Sequence, residues 1–223
     1  MKSQKEFSSA KALIPSLFLP EGLEGLRKTC IQIGYKSIDE MLPTCRKKIA
    51  YSGKDNFMET DLYGDFTECF LAPEVAGMLY IAHQYLIESN PELTFLIFDA
   101  ARPKRIQKVM WEYVKNTNME DFVANPLEGS MHNYGAAIDL SLCTLEGVEL
   151  DMGTGFDHFG ELAEPRKEFG LLSKGKLKEE QIKNRILLRN PMERAGFKVR
   201  PNEWWHFDAF DLETAKRMFQ LFL

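Results

Sequence analysis

The stretch SMHNYGAAIDLSL, residues 130–142, carries the pattern on which the fold prediction rests. Its second half, AAIDLSL (136–142), alternates small or polar residues with branched apolar ones, which is typical of a strand with two different faces. Asp139 lies on the face of the small residues, opposite the apolar face. Gly135 indicates a turn before the strand. We therefore expect His132 on a loop that leads into a central strand.

A carboxylate in the middle of a strong strand has two explanations. Burying the charge of Asp139 costs free energy unless the group is paired, hydrogen-bonded or bound to a metal. A hydrogen-bonded structural aspartate would satisfy this requirement as well as a metal ligand would. The stretch alone leaves both explanations open.

A second polar group occurs in NEWWH, residues 202–206, at the start of another apolar run. On an ideal strand, residues three apart point to opposite faces. Glu203 and His206 can therefore reach one cavity only if Glu203 lies on the turn before the strand, which Pro201-Asn202 favours.

Two histidines and a carboxylate form a typical catalytic zinc set, which leaves a fourth position for water. A glutamate that is not a ligand would take a proton from that water and deliver it to a leaving amine. A lone histidine in an apolar strand is more often a core residue, but the two fragments together favour the metal site. His83, in a predicted helix, and His158, with no comparable pattern around it, fit structural roles.

Arg102 follows the apolar run TFLIFDA, residues 94–100. A guanidinium at the end of a strand can point into a cleft and stabilise a developing oxyanion. A salt bridge with Asp99 is the structural alternative, and the sequence does not decide between the two.

The other elements complete an α+β prediction, a mainly antiparallel central sheet flanked by helices. Helical spacing and capping signals predict a helix over 72–89. The remaining predictions are strands over 94–100, 136–142 and 204–210, a hairpin partner over 146–150, and helices over 103–115, 177–195 (bent near Pro191) and 212–223. We expect an N-terminal arm over residues 1–45, packed on a single domain over 46–223.

Bulk composition excludes several partners. The 223 residues carry a net charge of −5, and the only basic run is Arg46-Lys47-Lys48, so a nucleic-acid partner is not expected. No apolar run approaches the roughly 18 residues of a membrane helix. The sequence does not predict an oligomeric state.

Cysteines and the N-terminus bear on the compartment. Cys30, Cys45, Cys69 and Cys143 form no C-x-x-C pair, so we expect buried thiols rather than a disulfide framework. The segment before residue 26 is broken by prolines and lacks the long apolar core of a signal peptide. Acidic charge and free thiols favour the cytoplasm, whereas a removed leader would place the protein in the periplasm.

Together these motifs resemble a known family. SMHNYGAAID matches S-x-H-x-x-G-x-A-x-D, NEWWH matches E-x-W-H, and FDAARP and DMGTGFD add to the match. The chain is similar, from about Ile49 to Phe210, to the D-alanyl-D-alanine dipeptidases, zinc peptidases of the Hedgehog and D,D-peptidase fold. It departs from the pattern in the N-terminal arm and in residues 158–190, where walls of the cleft that affect substrate choice are expected.

The resemblance implies one Zn²⁺ ion per chain and a role for each matching residue. The implied zinc ligands are His132, Asp139 and His206, the implied base is Glu203, and Arg102 would polarise the scissile carbonyl or stabilise the oxyanion. Ser130 matches a residue near the substrate carboxylate, and Asp157 one that holds the free ammonium group.

The implied activity is hydrolysis of D-alanyl-D-alanine or a close D,D-dipeptide. One alternative is a D,D-carboxypeptidase or endopeptidase acting on peptidoglycan stem peptides, which the ammonium site at Asp157 disfavours. Another is a non-catalytic zinc-fold binding module, which Glu203 and Arg102 disfavour because an inert site needs neither.

Overall fold

The computed structural model describes residues 23–64 and 66–223. Residues 1–22 of the predicted N-terminal arm lie outside the described residues. Within the described ranges, every helix falls short of the length and apolarity that a membrane crossing requires.

A mixed sheet forms the centre of the described chain. The strands are β1 (Lys36–Ser37), β2 (Arg46–Lys47), β3 (Phe70–Leu71), β4 (Leu93–Asp99), β5 (Ala137–Thr144), β6 (Lys198–Arg200) and β7 (Glu203–Asp208). Five of them form the central sheet in the order β2-β4-β5-β7-β6, and β1 pairs with β3 separately. β2 is parallel to β4, whereas the other neighbours in the central sheet are antiparallel. The sheet is therefore mixed, and the prediction did not include its parallel edge strand.

Helices surround this sheet. They are α1 (Leu23–Gln32), α2 (Ile38–Met41), α3 (Pro73–Ser89), α4 (Lys104–Val114), α5 (Glu168–Ser173), α6 (Glu179–Arg194) and α7 (Leu212–Met218). Short 3₁₀ turns span Glu120–Phe122, Met131–Tyr134, Glu161–Ala163 and Pro165–Lys167. α3 starts at Pro73, where the fixed φ of proline suits a first turn and no N–H is required.

The boundaries agree closely with the predictions for the long elements and less well at the periphery. The three predicted strands and the helices α3, α4 and α6 lie at the expected places. The C-terminal helix ends at Met218 rather than at the last residue. Residues 146–150 contribute an isolated bridge between Cys143 and Glu149 rather than a hairpin strand.

The core contains both central strands and part of the predicted arm. Every residue of β4 is buried, and so is β5 up to its last residue, as expected for strands covered on both faces. Leu26 and Cys30 belong to the same apolar cluster, and the Tyr35 hydroxyl donates to the Gln220 carbonyl over 2.7 Å. This part of the arm packs on the rest of the chain, and the division at residue 45 stays a prediction.

The four cysteines are free thiols, as predicted. Cys30, Cys69 and Cys143 are buried and Cys45 is half-buried. Burial raises the pKa of the Cys30 thiol to about 12 and that of Cys45 to about 11.

Gly135 is a position where only glycine fits. Its φ of 57° lies in the left-handed region, and a Cβ there would lie 2.8 Å from both the Ala72 nitrogen and Cε2 of Tyr35. We expect Gly135→Ala to lower the free energy of unfolding by about 2–4 kcal/mol, since strain and overlap add. Urea denaturation measures this loss.

Gly175 provides the matched control. Its φ is 65°, but a Cβ there would meet no atom within 4 Å. Gly175→Ala should therefore lower the free energy of unfolding only through backbone strain, by about 1 kcal/mol. Equal losses in the two variants would contradict the steric explanation.

Candidate active site

The central strands bring three buried polar side chains into one row. Asp139 on β5 pairs with Asp99 on β4 and with His206 on β7. Directly opposite residues have Cβ atoms about 4.5–5.5 Å apart, so neighbouring side chains in this row can touch. All three are nearly inaccessible to solvent. The strand register therefore joins the two polar fragments of the sequence.

His132 reaches this row from the 3₁₀ turn Met131–Tyr134. The Arg102 backbone N–H donates to the His132 carbonyl over 2.9 Å, and Nδ2 of Asn133 donates to the Arg102 carbonyl over 2.9 Å. Nδ1 of His132 lies 2.7 Å from the Ala100 carbonyl oxygen. Because a carbonyl only accepts, Nδ1 carries the hydrogen, and Nε2 presents a lone pair to the row.

His206 is oriented by the opposite ring nitrogen. Its Nε2 lies 2.9 Å from Oδ1 of Asp208, and a carboxylate also only accepts, so Nε2 carries the hydrogen. Nδ1 then presents its lone pair, 3.2 Å from Nε2 of His132. A histidine that donates its second N–H to a carboxylate is the usual arrangement beside a protein-bound metal.

Asp139 completes a converging donor set. Its Oδ2 lies 3.3 Å from Nε2 of His132 and its Oδ1 lies 2.9 Å from Nδ1 of His206. Within the described chain, Oδ1 nevertheless has no partner in hydrogen-bond geometry. Ligand atoms of the three residues all lie within 4.8 Å of one another. Two facing lone pairs and an orphaned carboxylate oxygen repel one another unless a cation lies between them, so these residues fit a divalent metal ion.

A proton competes with the metal for this position. Burial opposes the charged imidazole, but Asp208 and Asp139 outweigh it and raise the pKa of His206 to about 10. A metal ion must displace that proton. Metal binding therefore weakens as the pH falls.

Glu203 lies beside the donor set, although not as predicted. It is the first residue of β7 rather than part of the preceding turn, so that prediction is wrong. The pairing of β7 with β6 is irregular between Val199 and Arg200, and the usual alternation of faces does not apply across this break. Oε2 of Glu203 lies 3.7 Å from Nδ1 of His206.

The environment of Glu203 suits a proton acceptor. The side chain is buried, and its Oε1 has no hydrogen-bond partner in the part of the chain that the structure describes. Burial raises its pKa above the ordinary value, which increases the affinity of the carboxylate for a proton.

Arg102 forms the salt bridge with Asp99 that was one of the two alternatives, and it also lines the cleft. Its Nε and Nη2 lie 2.8 and 2.7 Å from Oδ2 of Asp99, and Nη1 donates to Oε1 of Gln107 over 2.9 Å. Nη2 also lies 3.6 Å from Oδ2 of Asp139. A guanidinium has five N–H donors, so both terminal nitrogens retain a hydrogen for a further acceptor.

Ser130 and Asp157 line the same cleft as the donor set. Asp157 is held by the Tyr51 hydroxyl, which lies 3.1 Å from its Oδ2, and the Tyr51 ring centroid is 5.1 Å from Cζ of Arg102. Burial and the nearby Asp139 raise the pKa of Asp157 well above its usual range. A bound cation would relieve this electrostatic cost.

Sequence reasoning missed three residues that orient the site. Asp208 had a usable signal, since it lies two residues after His206 and so on the same strand face. Tyr51 lies in an irregular segment, and Gln107 in a helix whose pattern indicates only burial. The other two histidines are not part of the donor set: Nε2 of His83 lies 3.2 Å from Oγ1 of Thr94, and His158 is exposed.

Asp208 tests the orientation of His206. We expect Asp208→Ala to weaken metal binding by about 10–100-fold, because the ring loses the acceptor that fixes its tautomer. Asp208→Asn keeps an acceptor oxygen without the charge, so its loss of metal affinity should be smaller. Competition with a chromogenic chelator measures both affinities, and an unchanged affinity in Asp208→Ala would count against this role.

The chain matches a family model over residues 32–222, and that family is described as D-ala-D-ala dipeptidase (Peptidase M15). A D-alanyl-D-alanine dipeptidase of Escherichia coli K12 is 29% identical over 168 residues, which cover 75% of this chain and 80% of the relative. One of Enterococcus faecium is 26% identical over 197 residues, with coverages of 79% and 92%.

Proposed function

The chain belongs to the D-ala-D-ala dipeptidase family, and we propose that it hydrolyses D-alanyl-D-alanine, or a close D,D-dipeptide, to free amino acids. The observation that carries the proposal is the convergence of His132, Asp139 and His206 beside the buried carboxylate of Glu203. A set of metal ligands without a neighbouring base would fit a structural metal site equally well. The base makes hydrolysis the better explanation.

The metal is proposed to be one zinc ion per chain. Nε2 of His132, Nδ1 of His206 and a carboxylate oxygen of Asp139 would hold it, a set of ligands typical of catalytic zinc. When bound, zinc supplies a Lewis acid that lowers the pKa of water and polarises a carbonyl.

Glu203 is the proposed general base. Its buried carboxylate accepts a proton from the attacking water and passes it to the nitrogen of the leaving D-amino acid. The shift brings the pKa of the carboxylate closer to neutral pH, where a group can both accept and return a proton.

Arg102 is proposed to stabilise the negative charge that develops on the carbonyl oxygen. Asp99 and Gln107 fix the plane of its guanidinium before substrate binds. A preoriented donor stabilises the transition state without a reorganisation cost during the reaction.

Asp157 and Ser130 are proposed to bind the two ends of the substrate. Asp157 would hold the free ammonium group and Ser130 would lie near the carboxylate. An ammonium site favours a dipeptide over an internal bond of a peptidoglycan stem, so the dipeptidase is the preferred activity. We propose a role in cell-wall metabolism for this activity, and the cytoplasm, favoured by the free thiols, stays the predicted compartment.

Metal removal tests the proposed chemistry. We expect the purified protein to release D-alanine from D-alanyl-D-alanine, to lose this activity on chelation and to regain it when zinc is added back. An amino-acid assay of released D-alanine makes the measurement. Stoichiometric zinc with no hydrolysis of any D,D-peptide would instead support a binding module.

Glu203→Gln separates catalysis from metal binding. We expect kcat to fall by about 10²–10⁴-fold, because the amide cannot accept the proton, while zinc content stays at the wild-type value. Glu213→Gln, at a position in α7 away from the site, is the control and should keep full activity. Wild-type turnover by Glu203→Gln would show that another group is the base.

A further inference from the structure

Asp157 lies in a loop whose two ends are held by side chains of α6. We define the ammonium loop as residues 151–162, which contain Asp157 and end in the 3₁₀ turn Glu161–Ala163. Asp157 has a φ of 58°, a region that a residue other than glycine occupies only when the surrounding structure holds it there. The Tyr51 hydroxyl holds the carboxylate directly, and contacts at the ends of the loop hold the backbone on either side of it.

The guanidinium of Arg185, on α6, binds both ends of this loop. Its Nε donates to the Met152 carbonyl over 2.7 Å, and its Nη2 donates to the Leu162 carbonyl over 2.9 Å. The side chain is 1% exposed. One buried planar group thus joins the two ends of the ammonium loop.

Neighbouring contacts connect this anchor to the active site. Cζ of Arg185 lies 5.7 Å from the ring centroid of Trp204, and Nε1 of Trp204 donates to Oγ1 of Thr154 over 2.8 Å. Trp204 directly follows Glu203 in β7. The same helix also holds the start of the loop through Asn184, whose Nδ2 donates to the Asp151 carbonyl over 2.9 Å.

Arg185 also forms a buried ion pair with Glu168, but this contact is looser than its contacts to the loop carbonyls. Nη1 of Arg185 lies 3.5 Å from Oε1 of Glu168, outside hydrogen-bond geometry in the described chain. Nη2 of Arg189 instead lies 2.8 Å from both oxygens of that carboxylate. The well-formed contacts of Arg185 are those to the loop carbonyls.

We propose that Arg185 is a positioning residue for the amino terminus of the substrate, because it fixes the ammonium loop so that Asp157 faces the cleft. This inference rests on the proposed function. Arg185 touches no substrate and acts only through Asp157.

The test compares D-alanyl-D-alanine with N-acetyl-D-alanyl-D-alanine, which lacks the ammonium charge. The wild type should prefer the free amine, and Asp157→Asn should reduce this preference, the ratio of kcat/KM values, by at least about tenfold. Arg185→Met should reduce it by a similar factor, mainly through a higher KM for the free dipeptide. A purely structural role would lower kcat/KM for both substrates by the same factor.

Arg189→Met is the matched control, because Arg189 lies on the same helix and binds Glu168 without touching the ammonium loop. Its substrate preference should stay at the wild-type ratio. If Arg185→Met does not fold, Arg185→Lys and Asn184→Ala replace it, and both must reduce the preference by at least about threefold, since each loses part of the anchor. An unchanged ratio in these variants overturns the proposal.

Hydrogen exchange provides a readout that does not depend on activity. Amides of residues 151–162 should exchange faster in the Arg185 variants and at the wild-type rate in Arg189→Met. Unchanged exchange overturns the anchoring role while the dipeptidase assignment stands. A wild-type protein that binds zinc and hydrolyses neither peptide would instead overturn the proposed function, and with it the role of Asp157.

Discussion

The buried carboxylate of Asp139 imposes the constraint on which the rest of the site depends. It lies at the centre of the sheet, where an unpaired charge would cost several kcal/mol. Its partners must therefore come from the strands on either side and from the turn that precedes its own strand. Strand register supplies His206 and Asp99, and the left-handed turn at Gly135 returns the chain so that His132 lies over the same point.

Three of the side chains at this point are held by a second contact behind them. Ala100 fixes the ring of His132, Asp208 fixes that of His206, and Asp99 fixes the guanidinium of Arg102. None of these supports depends on a long flexible side chain. The electrostatic environment is thus set during folding rather than when a ligand arrives, and such preorganisation makes buried dipoles and charges effective in catalysis.

The sequence allowed prediction of the elements whose pattern is local. β4 and β5 have continuous or alternating apolar runs, and Asp139 stands out because it breaks one of them. The two-residue strand β2 has no such pattern, so its parallel pairing could not be predicted. Glu203 was placed on a turn because ideal alternation required it, whereas the irregular register beside Arg200 solves the same geometric problem within the strand.

The residues that orient the site were harder to predict than the candidate ligands and catalytic groups themselves. Tyr51 contacts Asp157 across 106 positions of the sequence, through tertiary packing that periodicity does not encode. Gln107 lies only five residues after Arg102, but its helical pattern indicates burial and not a hydrogen bond to that guanidinium. Asp208 is different, since simple alternation from His206 would have placed it on the correct face. The functional roles of Ser130, Asp157 and Arg102 rest on resemblance, and their positions around one cleft are consistent with those roles.

The four thiols have a consequence for how the protein responds to oxidants. Thiolate, rather than thiol, reacts with oxidants and with disulfides. Burial keeps the pKa of Cys30 near 12 and that of Cys143 near 11, so almost no thiolate exists at neutral pH. None of the candidate ligands or proton-transfer groups is a cysteine. The hydrolysis proposed for this fold therefore uses no thiol, and the buried cysteines are slow to react with oxidants and disulfides.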